Sequence, residues 1–325
     1  MRMLDWQLPG NTETTEFCIP FCRMPPANPK CRGAFTLIEL LVVIAILGLL
    51  AALTVPALKN FGRADVQMSA AQQMLGAVGR ARQLAIANHT TVYLVFVTTN
   101  FFDMLNEKLQ PFWAGLNAIP SPTDRQVAFQ TASNLIPWQL RGYNFIAYGQ
   151  AGDQPGRHAW HYLDHWQALP SGEIIAPEKF LLPDARFDIP QWASDYAGQI
   201  DNWRIVGGTR QLQIYSFNTN AVPFPTVQSP LLRLPCLAFN SFGQLISEYD
   251  GGPPDNPGSY HHAYIPLAQG TVGYGLDANK QPQPATVQPG DITENPPGNA
   301  TGITYNVIDI DPLTGRATHE FHKVQ

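Results

Sequence analysis

The chain has 325 residues, 45% of them hydrophobic and only 14% charged, with a net charge of −5. That length holds one large domain or two small ones. The absence of any Lys/Arg run argues against nucleic acid as a partner. The 29 prolines and 26 glycines call for many turns, but fall short of the composition of a disordered low-complexity chain. Of the four cysteines, Cys18, Cys22 and Cys31 precede a long apolar run and Cys236 follows it. The C-x3-C spacing of Cys18 and Cys22 lacks the second half-site that zinc sites show. If the leader is removed, Cys236 stands alone and no intramolecular disulfide can form.

The apolar run covers residues 35–58, "FTLIELLVVIAILGLLAALTVPAL". As a helix it would rise about 36 Å, enough to cross a hydrocarbon core of about 30 Å. The expectation is therefore a transmembrane segment. A secretory signal peptide would have a shorter apolar region followed by a cleavage site, and "AALTVPA" could pass as such a site. Beyond Pro56, however, the pattern continues as a helix to about Asn88, with Val66, Leu75, Val78, Leu84 and Ile86 recurring among Gln72, Gln73, Arg80, Arg82 and Gln83. The run thus opens one long helix, apolar all round in its first half and amphipathic in its second, with Pro56 expected to kink it.

Glu39 is the single charge in this run. A carboxylate at membrane depth costs roughly 2.5–3.5 kcal/mol on insertion scales and needs a cationic partner. No cation lies within a turn or two of it in sequence. The partner must come from another chain, or from a new amino terminus created by cleavage nearby.

The residues "GAFTLIELLVVIAIL" resemble the signal of type IV pilins and type II secretion pseudopilins, which is cut and methylated at its N-terminus. The family pattern is a small residue, a cut, a Phe, and a Glu as fifth residue of the mature chain. The resemblance implies processing around Gly33, Ala34 and Phe35. A cut after Ala34 makes Phe35 first and Glu39 fifth; the family more often has Gly before the cut, so Gly33 is the alternative last leader residue. It further implies N-methylation of Phe35, and assembly roles for Phe35, Glu39, Gly48 and Pro56. In the family the glutamate pairs with the freed amine of a neighbouring subunit. The leader, residues 1–34, is long, and translation can start at Met1 or at Met24. Lys30 and Arg32 would hold the leader on the cytoplasmic side.

After the helix, "TVYLVFVTTNFF" alternates in the manner of a strand. Further strands are expected at 143–149, 203–208, 211–217, 232–240, 243–249, 262–268, 303–311 and 316–324. The fold class is therefore α+β: a long N-terminal helix, its first half transmembrane, packed on an antiparallel β-sheet head in a pilin-like manner. The domain reading is a leader at 1–34, a transmembrane half-helix at 35–58, an amphipathic half at 59–90, and a β-rich head at 91–325 with an insertion at about 106–202. The passage from "AAQQMLGAVGRARQ" into the first strand resembles minor pseudopilins and minor pilins. So do "LAFNSFGQL" and "YNVIDIDPLTGRATHEF", where Gly243 and Gly315 would supply positive-φ turn positions. Residues 251–262 and 279–300 read as exposed loops.

Candidate chemistry is thin. His158, His161 and His165 would share one face of a short helix near 158–169, at ligand-like spacing; an amphipathic helix with a partly buried His/Trp face is the plainer reading, and no metal is assigned. His319 and His322 read as a solvated strand face. "DIDPLTG" places aspartates before a turn, where Asp311 would cap rather than hold calcium. No nucleophile-elbow, zinc-protease or phosphate-loop motif is present in the sequence, so no catalysis and no cofactor are expected.

The resulting expectation is a structural minor pseudopilin or pilin subunit. It would be processed by prepilin peptidase and assembled with other pilins or pseudopilins into a filament based on the inner membrane, in either a type IV pilus or a type II secretion system. It would be single-pass, with its head in the periplasm or outside the cell. The alternative is a membrane-displayed binding protein, its aromatic middle region taking carbohydrate or a secreted protein.

Overall fold

The computed structural model describes residues 36–103, 106, 109–149, 153, 158–180, 203–207, 210–214, 217–246, 262–282, 291–295 and 304–323. The leader, the cleavage position and Phe35 lie outside these residues, as does most of the 251–262 loop. The chain divides into two units, residues 1–56 and 57–325.

Helix α1 spans Leu37–Asn88, close to the boundaries expected from the sequence. Within the first unit its side chains from Leu37 to Leu50 are exposed, the large apolar ones at 46% to 82%. The transmembrane expectation is corrected here: among the described residues no helix is long and apolar enough to cross a membrane. The single-pass inner-membrane topology, the inner membrane as a partner, the inner-membrane-based filament and the membrane-displayed binding protein all fall with that span.

The second unit carries the rest of α1 and the head. The head runs β1 (Val92–Phe96), α2 (Gln110–Asn117), α3 (Pro122–Leu135), β2 (Gly142–Tyr148), β3 (Trp160–Tyr162), β4 (Gln167–Ala168) and β5 (Glu173–Ile175). It continues through β6 (Trp203–Gly207), β7 (Arg210–Ile214), β8 (Asn218–Pro223), β9 (Leu231–Phe239), β10 (Ala263–Val272), β11 (Ile292–Glu294), β12 (Thr304–Ile310) and β13 (Ala317–Lys323). One antiparallel sheet has the order β3-β2-β1-β9-β8, with β4 also on β2; a second has β11-β10-β12-β13, with β5 also on β10. β6 and β7 form a separate hairpin.

Period-two alternation splits the core between the two faces of the first sheet. On one face Leu94, Phe96, Tyr143 and Phe145 pack with α1 and with Ile265, Leu267, Ile308 and Ile310 of the second sheet. On the other, Val95, Ile146, Leu234 and Cys236 pack with Phe112, Trp113 and Leu116 of α2 and Ala128, Ala132 and Leu135 of α3. The face that α1 buries is mainly alanine: Ala70, Ala71, Ala77, Ala81 and Ala85, with Met74 and Val78. Of the residues expected to make that face, Val78 is fully buried, Leu75 and Leu84 are partly covered, and Ile86 is exposed. Small side chains let the helix backbone approach the sheet, so hydropathy reading overlooks them.

Several strand expectations hold: β1, β2, β6, β7, β9, β10, β12 and β13 fall where the alternation placed them. In the described part of the segment 243–249, residues 243–246, no strand forms. That part makes one isolated bridge, Leu245 to Phe239, because Asn240 Oδ1 accepts from the backbone N–H of Phe242 and Gln244 and bends the chain back. The tract 279–300, read as loop, contains β11 paired with β10. Helix α3 was legible but missed: Ser121 caps it by accepting from Asp124 N at 3.3 Å, with Pro122 beginning the helix, the start signal that "SPTD" spells.

Candidate functional site

The head holds few of the residues singled out for chemistry. His158, His161 and His165 do not lie on a helix. Trp160–Tyr162 is strand β3, paired with β2 through Ile146–Tyr162 and Tyr148–Trp160, so the helical i, i+4 geometry does not exist. Bulky aromatics favour the pleated surface, and Asp164 takes its own chain's His165 N–H at 2.7 Å, which competes with a helical turn. His161 instead meets Asp153 at 3.0 Å. Among the described residues no group of His, Cys, Asp or Glu is placed to hold a metal. His319 is half-buried and bonded to Asn306 Oδ1, and burial lowers its pKa. The side chain of His322 lies outside the described residues.

Asp311 acts as a turn cap. Its Oδ1 accepts from Thr314 N at 2.8 Å and Thr314 Oγ1 at 3.1 Å, and the Thr314 N–H leads the contacts that pull its carboxyl below the usual range. Gly243 and Gly315 both have positive φ, +79° and +62°. The two turns touch: a Cβ on Gly315 would strike the Gly243 carbonyl oxygen. Arg82 of α1 donates to Thr314 O at 2.7 Å, so the end of the helix, the Asn240 turn and the β12–β13 turn form one junction.

Cys236 is a buried thiol on β9. Sequence reasoning missed Glu173. It is fully buried on β5, both carboxyl oxygens lack a hydrogen-bond partner among the described residues, and burial pushes it up to about 7. No motif marks it, because a glutamate in a short apolar strand reads as solvent-facing.

At the start of α1, Thr36 and Glu39 form a capping box. Glu39 N donates to Thr36 Oγ1 at 3.3 Å, while Glu39 Oε2 accepts from Thr36 N and Oγ1 at 3.4 Å. The carboxylate therefore has partners inside its own chain, which the search for a cation did not consider. These contacts are at the long limit of hydrogen bonding, so lone pairs remain for a stronger donor. A Cβ on Gly48 would meet open space, and the side chain of Pro56 lies outside the described residues. Gly33, Ala34 and Phe35 lie there too.

No curated protein and no solved structure gives a significant match to the chain. One family description does match, the prokaryotic N-terminal methylation motif, over residues 29–55. That span contains the Gly33–Ala34–Phe35 segment, Glu39, Gly48 and the exposed apolar start of α1. The chain thus carries a prokaryotic N-terminal methylation signal of the prepilin type, consistent with the pilin and pseudopilin family.

Proposed function

We propose that this chain is a substrate of prepilin peptidase, cut between Ala34 and Phe35 and methylated on the Phe35 amine, and that the mature helix packs against like helices. The observation that carries the reading is the methylation motif over residues 29–55, continuous with apolar side chains that no part of the first unit covers. Exposed leucines, isoleucines and valines on one helix are stabilised by burial against like helices at about 25 cal/mol per Å². Glu39 sits one turn from the new amine and keeps lone pairs for it, in its own chain or in a neighbour's. The reading assigns no membrane span and no reaction to the chain itself.

Intact-mass and N-terminal peptide analysis of the chain, expressed with an active prepilin peptidase, tests it. The expected product begins at Phe35 and carries one methyl group. Recovery of the chain with its leader attached overturns the reading. A product beginning at Ala34 makes Glu39 the sixth residue and removes its register argument.

A further inference from the structure

An open cleft of about 470 Å³ lies on the face of the first sheet that α3 partly covers. Asn144 of β2 is among its lining residues, with Trp160, Tyr162 and Trp166 beside it, Thr131 of α3 on one rim and the turn at Thr226–Gln228 on another. All of its lining residues lie within the second unit.

Three observations define its chemistry. First, Asn144 is 1% exposed and its Nδ2 has no acceptor among the described residues. Its Oδ1 takes the Phe145 N–H at 2.7 Å, which fixes the amide orientation because a backbone N–H only donates. The cleft therefore contains a desolvated N–H pair with an unmet need for an oxygen, and such groups cost stability unless something satisfies them. Second, the polar ends of two aromatics are already used: Tyr162 Oη donates to Pro223 O at 2.6 Å and Trp166 Nε1 to Pro225 O at 3.0 Å. Both rings are locked, and what they offer the cleft is ring surface. Third, charges near the cleft are paired: Asp164 with Arg80 at 2.8 Å, and His161 with Asp153 at 3.0 Å. Asp164 also accepts from Gln167 Nε2 at 2.8 Å. A charged ligand that engaged Asp164 or His161 would have to break one of these pairs.

We propose that this cleft is a binding site for a neutral pyranose saccharide. The C–H face of a sugar ring carries partial positive charge and suits the electron-rich face of an aromatic ring. A ring or glycosidic oxygen, or a hydroxyl, accepts from Asn144 Nδ2. The volume lies in the range of small-ligand sites and has room for a mono- or disaccharide. Prealigned rings lose little side-chain freedom on binding, which favours a measurable affinity from a small contact.

The test is an array of neutral and charged glycans probed with the full chain, followed by calorimetric titration of the best neutral hit. The expected result is binding of at least one neutral pyranose glycan, weakened at least tenfold by Asn144→Ala. Because Asn144 is buried and that variant can fail to fold, Thr131→Trp is the second test. It fills the cleft from the partly exposed rim of α3 and is expected to abolish binding while leaving the far-ultraviolet dichroism unchanged. No neutral glycan bound by the wild-type chain, or binding that survives Thr131→Trp undiminished, overturns the proposal. Preference for an anionic glycan overturns it as well, since Arg80 and His161 already hold Asp164 and Asp153.

Discussion

A single substitution separates the cap that Glu39 forms from the pairing proposed for it. As a capping residue it is worth about 1 kcal/mol to the start of α1. As the proposed partner of a freed amine it would set which subunits join. Glu39→Gln keeps the acceptor oxygen of the cap and removes the charge. The expected outcome is normal cleavage by the peptidase and loss of co-purification with other processed subunits; undiminished co-purification would assign Glu39 to the cap alone. Glu173 supports a second residue-scale prediction. Its carboxyl is raised from 4.5 to about 7 by burial, so the folded chain prefers it protonated. Its favourable contribution is complete below about pH 4.5 and is lost as pH rises through about 7, on the order of 3 kcal/mol. Glu173→Gln should flatten the fall in thermal stability between those pH values, and an unchanged slope would count against the buried-acid account. Glu39 was legible in the sequence because a lone charge in an apolar run is conspicuous. Glu173 and Asn144 were not, since only the fold shows that their polar atoms are enclosed without partners.

The elements depend most visibly on the junction of Arg82, Gly243 and Gly315. Gly315→Ala adds a methyl group against the Gly243 carbonyl at a φ that L-residues disfavour. Loss on the order of 3 kcal/mol is expected in chemical denaturation. Gly79→Ala in the interior of α1 is the control: its Cβ meets open space, so a gain of about 0.5–1 kcal/mol is expected. Equal effects at the two sites would show that the turn contact carries no strain. Most long strands were readable from alternation, because a half-buried sheet enforces it. The short strands β3, β4, β5 and β11 were not, since two or three residues carry no period. The second half of α1 was readable as a helix, yet its packed face was misjudged because alanine contributes little to hydropathy and much to close approach.

For the whole molecule, the division near Pro56 makes a prediction about association. A chain beginning at Ala57 retains the packed alanine face and every strand of the head, and loses the exposed apolar side chains of Leu37 to Leu50. It is expected to sediment as a monomer, whereas the chain beginning at Phe35 self-associates; a monomeric Phe35 chain would remove the basis for subunit packing through that helix. The membrane-spanning expectation rests on the length and apolar composition of residues 35–58, whereas among the described residues no helix is long and apolar enough to cross a membrane. The head's architecture, with two sheets sharing one core and two helices on the far face, was accessible only as a class.

The enclosed thiol of Cys236 turns maturation into something countable. Three of the four cysteines lie ahead of Phe35 and two of those ahead of Met24, so a denatured precursor titrates four sulfhydryls if translated from Met1 or two if from Met24, and a chain cut before Phe35 just one. Under native conditions that remaining sulfur is shut away from an alkylating dye, and the rate at which it takes up label becomes a clock for the breathing of the strand that bears it.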